Sequence, residues 1–240
     1  MAADVWLILP TYDEAENIAA IVAAARAVLE QSAPGTHRIL VVDDGSPDGT
    51  GDIADVLAAA HNDVEVLHRG AKEGLGPAYL AGFAHALGAG ADLVLEMDAD
   101  FSHDPADLPR LVAAASDADL VLGSRYVAGG GVADWGRLRR LLSRGGSAYA
   151  RSVLRVPVRD LTGGFKCFHA TTLRRLSLED VRTDGYGFQI ELTYRAIRAG
   201  MRVVEIPIVF SERRAGSSKM TARIALEAAW KVPELRFRLR

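Results

Sequence analysis

Ile39-Leu40-Val41-Val42-Asp43-Asp44-Gly45-Ser46 is a short apolar run that stops at two carboxylates and a glycine turn. A run this brief and this continuous suits a strand buried on both faces, as in a parallel sheet covered by helices. Four other runs share its character: Val5 to Leu9, Val64 to Leu67, Leu93 to Met97 and Leu120 to Gly123. Amphipathic segments separate them. Ile18, Ile21, Val22, Ala25, Val28 and Leu29 recur at helical spacing behind Asp13 and Glu16, a capping-box pattern. Ile53, Val56, Leu57 and Ala60 repeat the spacing, and Pro77 opens a helix carrying Leu80, Phe83 and Leu87. Strand and helix in alternation predict an α/β fold: one mostly parallel central sheet flanked by helices.

The second half is less regular. It holds a glycine run at Gly129 to Gly131, an arginine-rich helix, a Gly163-Gly164 turn, a helix near Phe188 to Ala199, a strand from Arg202 to Phe210 and a helical tail. No repeat or linker divides the chain, so 1–240 reads as one domain, with 1–125 opening a site that 126–240 completes.

Composition excludes several classes. With 49% apolar and 25% charged residues the chain is neither disordered nor multispanning. The uncharged stretch Gly74 to Ala91 approaches membrane-spanning length, but Pro77, His85 and its glycines make it a loop and a buried helix. A net charge of -3 argues against nucleic acid as a partner. The single cysteine, Cys167, points to a reducing compartment and a packing role in a strand. The N-terminus has no basic region before its apolar run, which predicts no secretion.

Ligands of open α/β sheets bind at the carboxyl ends of the strands. A dinucleotide fold would carry a glycine-rich turn after the first strand; here Pro10-Thr11-Tyr12-Asp13-Glu14 stands instead. Asp43-Asp44-Gly45-Ser46-Pro47-Asp48-Gly49 ends the second strand, where an aspartate can accept from a base or ribose or cap the next helix. Receiver domains of signalling proteins also carry edge aspartates, in a different arrangement. The fourth strand ends in Glu96-Met97-Asp98-Ala99-Asp100. A turn after Met97 would make Asp98 and Asp100 converge, and two converging carboxylates suit a hard divalent ion completed by substrate phosphate. Capping the helix before Asp104-Pro105 is the plainer role for the same residues.

These strings occur in one order along the chain, followed by Gly74-Leu75-Gly76, Asp98-Ala99-Asp100-Phe101-Ser102-His103, Gly123-Ser124-Arg125-Tyr126, Asp160-Leu161-Thr162-Gly163-Gly164-Phe165, Gly185-Tyr186-Gly187-Phe188-Gln189-Ile190-Glu191 and Arg213-Arg214-Ala215-Gly216-Ser217-Ser218-Lys219. The set resembles the dolichyl- and polyprenyl-phosphate mannose synthases of the GT-A-fold glycosyltransferase family 2, over nearly the whole chain. The resemblance implies inverting transfer of mannose from GDP-mannose to a polyprenyl or dolichyl phosphate. It implies Pro10, Tyr12, Glu14, Val42 and Asp44 around the nucleoside, and Asp98, Ala99, Arg213 and Lys219 around the sugar diphosphate. Asp98 and Asp100 would hold Mg2+ or Mn2+, with Ser102 where many relatives supply a glutamine. Arg125, Arg139 and Ser143 would bind the acceptor phosphate, which makes Asp98, Asp100, Arg125 and Arg139 the catalytic set. Another donor such as UDP-glucose, or a non-catalytic subunit that only binds a nucleotide sugar, are the rival readings.

The chemistry itself calls for those cations. Two unit negative charges ~6 Å apart repel by about 3 kcal/mol at an effective dielectric near 20. Bringing an anionic acceptor to an anionic donor therefore needs a metal on one and guanidiniums on the other. An ionised phosphate nucleophile needs no general base. Gln189 and Glu191 either line the acceptor or sugar pocket or orient nearby arginines, and neither joins the catalytic set.

From Trp135 to Arg159 there are seven arginines and no acidic residue. Arg137, Arg140, Arg144, Arg151 and Arg155 fall near one helical face and Leu138, Leu141, Leu142, Tyr149 and Val153 on the other, so the helix lies on an anionic membrane surface or packs on its own sheet. With only the Lys219 to Arg240 tail after the domain, the expected location is cytoplasmic and peripheral to the membrane, held by the surface itself or by a separate membrane protein.

Overall fold

The computed structural model describes residues 3–33, 36–133, 135–214 and 222–239. Its strands are β1 (Val5–Thr11), β2 (His37–Asp43), β3 (Val64–His68), β4 (Leu93–Glu96), β5 (Leu120–Ser124), β6 (Gly131–Val132), β7 (Lys166–His169), β8 (Val203–Pro207) and β9 (Val209–Phe210). Its helices are α1 (Ile18–Ser32), α2 (Thr50–Ala60), α3 (Leu75–Gly88), α4 (Leu108–Ala114), α5 (Arg137–Leu154), α6 (Ala170–Arg175), α7 (Gly185–Arg198) and α8 (Ala222–Arg238). Seven strands form one sheet in the order β3-β2-β1-β4-β7-β5-β8, and β6 pairs with β9 beside it. All neighbours in the main sheet are parallel except β7, which runs antiparallel to both β4 and β5.

Every residue of β1 is buried, and its side chains alternate between two cores. Val5, Leu7 and Leu9 join Ile18, Ile21, Val22 and Leu29 of α1 and Leu108 and Leu111 of α4 on one face. Trp6 and Ile8 join Tyr79 and Phe83 of α3, Phe188 of α7 and Leu154 of α5 on the other. A helical layer on each face leaves only the strand ends open to ligand. Close packing needs Gly82: a Cβ there would stand 2.6 Å from Ile8 Cγ2, closer than side chains tolerate.

Several local expectations change. Asp13 and Glu16 form no capping box, because Asp13 takes a left-handed φ of 53° and α1 starts only at Ile18. The carbonyl of Glu14 instead accepts the amides of Asn17 and Ile18, and the Glu14 carboxylate accepts from the Asn17 side chain at 2.8 Å. Helix α3 begins at Leu75, so Pro77 lies within its first turn, where no amide partner is required. The strand expected over Arg202 to Phe210 breaks at Ile208, whose side chain is buried against Gly123, and its last part pairs with β6. Cys167 sits in β7, fully buried, and burial pushes its thiol up to about 12, so it is an inert packing group.

Candidate active site

The strand order reverses at β1, which has β2 on one side and β4 on the other. Loops after these three strands therefore meet, and they line a cleft of about 680 Å³ that carries Pro10, Tyr12, Glu14, Asp44, Asp98, Ala99, Asp100, Arg125, Arg139 and Arg213. Residues 90 and more apart in sequence thus share one cavity.

The first two loops are fastened together. The amides of Asp13, Glu14 and Ala15 donate to Ser46 Oγ at 3.2 Å, Thr50 Oγ1 at 2.9 Å and Asp48 Oδ2 at 3.0 Å. Asp48 also accepts from the Thr50 amide and hydroxyl, so it caps α2 as well as holding the loop. Asp44 has its own partners: Arg69 at 2.5 Å and the amides of Glu73 and Gly74 at 3.1 and 2.9 Å. It shapes the 69–74 segment, which brings the Lys72 ammonium 3.6 Å from the centre of the Tyr12 ring at the cleft wall. Val42 does not line the cleft; its side chain is buried beneath Gly82 of α3, and its carbonyl accepts from Thr11 Oγ1.

A turn over Ala99 and Asp100, followed by a left-handed φ of 62° at Phe101, brings both aspartates to the same cavity. Burial first, and then the charge of Asp100, raise the Asp98 carboxyl above the usual range. Like-charged carboxylates held this way are stabilised by a divalent cation, and the donor set suits magnesium or manganese. Among the described residues no three His, Cys, Asp or Glu side chains form a ready cage, so substrate oxygens would complete any shell. Asp100 accepts the Ser102 amide at 2.9 Å; Ser102 does not line the cleft, and among the described residues its buried hydroxyl has no hydrogen-bond partner. His103 is buried, its Nδ1 accepts the Asp98 amide at 3.3 Å, and burial lowers its pKa so that the ring is neutral.

The guanidiniums arrive from the end of β5 and from the second half. Arg125, at the end of β5, is clamped by Asp160 and Thr162 and is flanked by Tyr126 and Phe210 rings at 5.2 and 5.3 Å. Arg139 stacks 4.2 Å over Trp135 and pairs with Glu212 at 2.8 Å. Ser143 stands one turn further along α5, bonded to Tyr126 Oη at 2.6 Å, and is not part of the cleft wall. Arg213 Nε lies 3.3 Å from Asp100, and the amides of Ser211 and Arg214 bond the carbonyls of Ser102 and Asp100, so the basic loop starts on the acidic turn. Lys219 lies outside the described residues.

Sequence reasoning did not find Lys72, Asp160, Trp135 or Asp184 as site residues. Asp184 accepts the Gly76 amide at 2.7 Å across 108 residues, and a side chain on Gly74 would run into its carboxylate. The Gly74-Leu75-Gly76 string and the one that opens at Gly185, just after Asp184, were visible separately; only the fold pairs them. Glu191 is fully buried and accepts from Thr183, Arg195 and Arg238, so of its two expected roles the structure bears out the orienting one.

Helix α5 resolves another alternative. It packs through Ser147, Ala150 and Leu154, while Leu138, Leu141 and Leu142 are 67–70% exposed. The leucine end of its apolar face is therefore not packed on the sheet, whereas Val153 further along that face packs against the core. Trp230 and Phe237 of α8 are exposed as well, at 81% and 67%. Among the described residues no helix is long and apolar enough to cross a membrane.

Comparison with known proteins agrees with this architecture. The model of the family described as Glycosyl transferase family 2 matches residues 6–182. The undecaprenyl-phosphate mannosyltransferase of Micrococcus luteus is 47% identical over 93% of this chain and 90% of its own length. The polyprenol monophosphomannose synthase of Mycolicibacterium smegmatis is 48% identical over 95% of this chain and 85% of its own. Glucosyl-3-phosphoglycerate synthase from Mycobacterium tuberculosis, solved with Mn2+, UDP-glucose and phosphoglyceric acid, shares the fold at a TM-score of 0.68 and 18% identity, over 99% of this chain and 79% of that one. The fold is the GT-A type.

Proposed function

Since the chain belongs to glycosyl transferase family 2, we propose that this glycosyltransferase moves mannose from GDP-mannose to a polyprenyl phosphate, dolichyl phosphate included, with inversion. The observation that carries the reading is charge arrangement: Asp98 and Asp100 share one cleft with Arg125, Arg139 and Arg213. A donor diphosphate and an acceptor phosphate can be held there together only if cations offset their repulsion.

In this scheme Pro10, Tyr12, Glu14 and Asp44 surround the guanine nucleoside, with Val42 acting through its main chain and Lys72 as a further contact. Asp98 and Asp100, with Ser102 behind them, hold Mg2+ or Mn2+. When bound, that ion neutralises the leaving diphosphate. Arg213 exchanges its contact with Asp100 for a diphosphate oxygen, and Lys219 joins it. Asp160 and Thr162 take the Nε and one terminal nitrogen of Arg125, which leaves its second terminal nitrogen for the acceptor. Arg139 completes that phosphate site, while Ser143, outside the cleft wall, acts only by holding Tyr126. The acceptor oxygen attacks the anomeric carbon, and GDP departs from the opposite face. No residue accepts a proton, because the phosphate is already ionised.

The exposed leucines and arginines of α5 support docking on an anionic bilayer, where the lipid phosphate would enter beside Arg139. A separate membrane protein covering the same face is the other means of anchoring.

Transfer assays with GDP-mannose, UDP-glucose and other nucleotide sugars, each with a short polyprenyl phosphate, test the reading. Mannose transfer that stops on chelation is the expected outcome. A preference for UDP-glucose would replace the donor, and donor binding without turnover would make the chain a binding subunit.

A further inference from the structure

Seven buried side-chain nitrogen and oxygen atoms lack hydrogen-bond partners among the described residues, and they belong to Tyr79, Glu96, Ser102, Trp135 and Gln189. Orphaned polar atoms are costly and rare, and two of these residues, Trp135 and Gln189, line the cleft, where a ligand can satisfy them. Gln189 stands out because both ends of its amide are orphaned, it is 2% exposed, and it lines the cleft. Helix α7 fixes its backbone: the Gln189 carbonyl accepts from the Lys166 ammonium at 2.8 Å and the Thr193 hydroxyl at 3.0 Å. The amide lies near enough to Glu96 to favour its carboxylate, without hydrogen-bond geometry.

Gly164 locates the amide relative to the acidic pair. A Cβ placed on Gly164 would stand 3.4 Å from Gln189 Nε2 and 3.7 Å from Asp98 Oδ1. Gln189 Nε2 and Asp98 Oδ1 thus flank Gly164 within reach of one small ligand group, and a glycine there puts no side chain between them. If Asp98 serves the diphosphate, one unit bonded to it is the nucleoside, which this reading puts beside Tyr12 and Asp44, and the other is the hexose, which is left for the side of the cleft that Gln189 lines. A primary amide offers one acceptor and two donors, which matches neighbouring hydroxyls of a pyranose. The terminal torsion of a glutamine is soft, so the amide can turn toward such a ligand at little cost.

We infer that Gln189 is a specificity-determining residue that reads hydroxyl groups of the donor hexose across the gap at Gly164. This rests on the nucleotide-sugar reading of the cleft and adds the residue that recognises the sugar. Gln189 neither activates the acceptor nor holds the nucleotide. Its loss therefore alters discrimination among hexoses and leaves nucleotide affinity alone.

The experiment compares wild type, Gln189→Met, which keeps the volume, and Gln189→Glu, which keeps the acceptor oxygen. Binding of GDP and of GDP-mannose is measured by calorimetry with Mg2+, and transfer to a short polyprenyl phosphate is measured with GDP-mannose and its monodeoxy analogues. Wild type should bind GDP-mannose and reject at least one analogue. Gln189→Met should lose about 10- to 100-fold in kcat/KM for GDP-mannose, the range for a hydrogen bond in a closed site. It should lose discrimination against that same analogue while its Kd for GDP stays within about twofold. Gln189→Glu should recover part of the discrimination. Unchanged discrimination in Gln189→Met, or a parallel loss of GDP affinity, overturns the role of Gln189 while wild-type transfer stands. Wild type that neither binds nor uses any nucleotide hexose overturns the function and this role together. If Gln189→Met does not fold, an unaltered analogue profile in Gln189→Glu overturns it equally.

Discussion

Asp160 grips Arg125 through two side-chain hydrogen bonds of 2.7 Å each, to Nε and to one terminal nitrogen, and takes the Arg125 amide at 3.0 Å as well. Both residues are buried, at 1% and 5% exposure. Breaking a buried, bidentate pair leaves an uncompensated charge, at a cost of about 3–5 kcal/mol. Asp160→Asn should therefore lower stability by that order and raise the KM for lipid phosphate. Arg139→Ala, at a side chain 46% exposed, should weaken acceptor use without a comparable loss of stability. Denaturant melts beside acceptor titrations check both, and equal losses of donor and acceptor binding would contradict the division of labour.

The same pair sets an acid limit. Burial alone would raise the Asp160 carboxyl, but the charge and hydrogen bonds of Arg125 outweigh it and hold the group below its ordinary value. The folded state then binds fewer protons than the unfolded one, so the stabilisation is complete above the unfolded pKa of about 3.9 and is lost as pH falls through the folded value. Melting temperature should be insensitive to this pair at neutral pH and should fall below about pH 4. Asp160→Asn should flatten part of that acid limb.

Arg213 and Asp100 stand 3.3 Å apart, so the arginine competes with a cation for the same carboxylate. Arg213→Met should tighten Mn2+ binding in the absence of nucleotide and weaken GDP-mannose binding about tenfold or more, since a charge-assisted hydrogen bond contributes about 1.5–3 kcal/mol. Titrations of Mn2+ followed by its electron paramagnetic resonance signal give the first value and calorimetry the second. Loosened Mn2+ binding would show that Arg213 supports the acidic turn instead of competing for it.

Leu138, Leu141 and Leu142 touch solvent more than protein. Changing all three to serine should shift the melting temperature by no more than about 2 °C, as surface changes outside packed sites generally do. Sedimentation with anionic vesicles should fall more than about tenfold, because burying one leucine in an apolar phase contributes roughly 1.5–3 kcal/mol. Undiminished vesicle binding would place the membrane contact elsewhere.

Local pattern carried most of the fold. Apolar runs ending in Asp43-Asp44 and Asp98-Ala99-Asp100 marked strands and their carboxyl edge, because period and burial are properties of neighbouring residues. Strand β7 was marked only by Cys167, expected to pack in a strand, and its antiparallel place between β4 and β5 escaped, because it depends on pairings such as Glu96 with Lys166, 70 positions away. Partners of the site residues escaped for the same reason. Nothing near Arg125 in sequence names Asp160, and nothing near Gly76 names Asp184. The exposed face of α5 was legible as a pattern, but whether it packed inward depended on helices that cover the sheet before it can.

A crystal structure with Mn2+, GDP and a short polyprenyl phosphate tests most directly whether one cleft holds both anions. The metal should appear by anomalous scattering about 2.1 Å from oxygens of Asp98 and Asp100 and of the nucleotide diphosphate. The lipid phosphate should rest on Arg125 and Arg139. Metal bound away from the two aspartates, or lipid phosphate bound outside the cleft, would contradict the account.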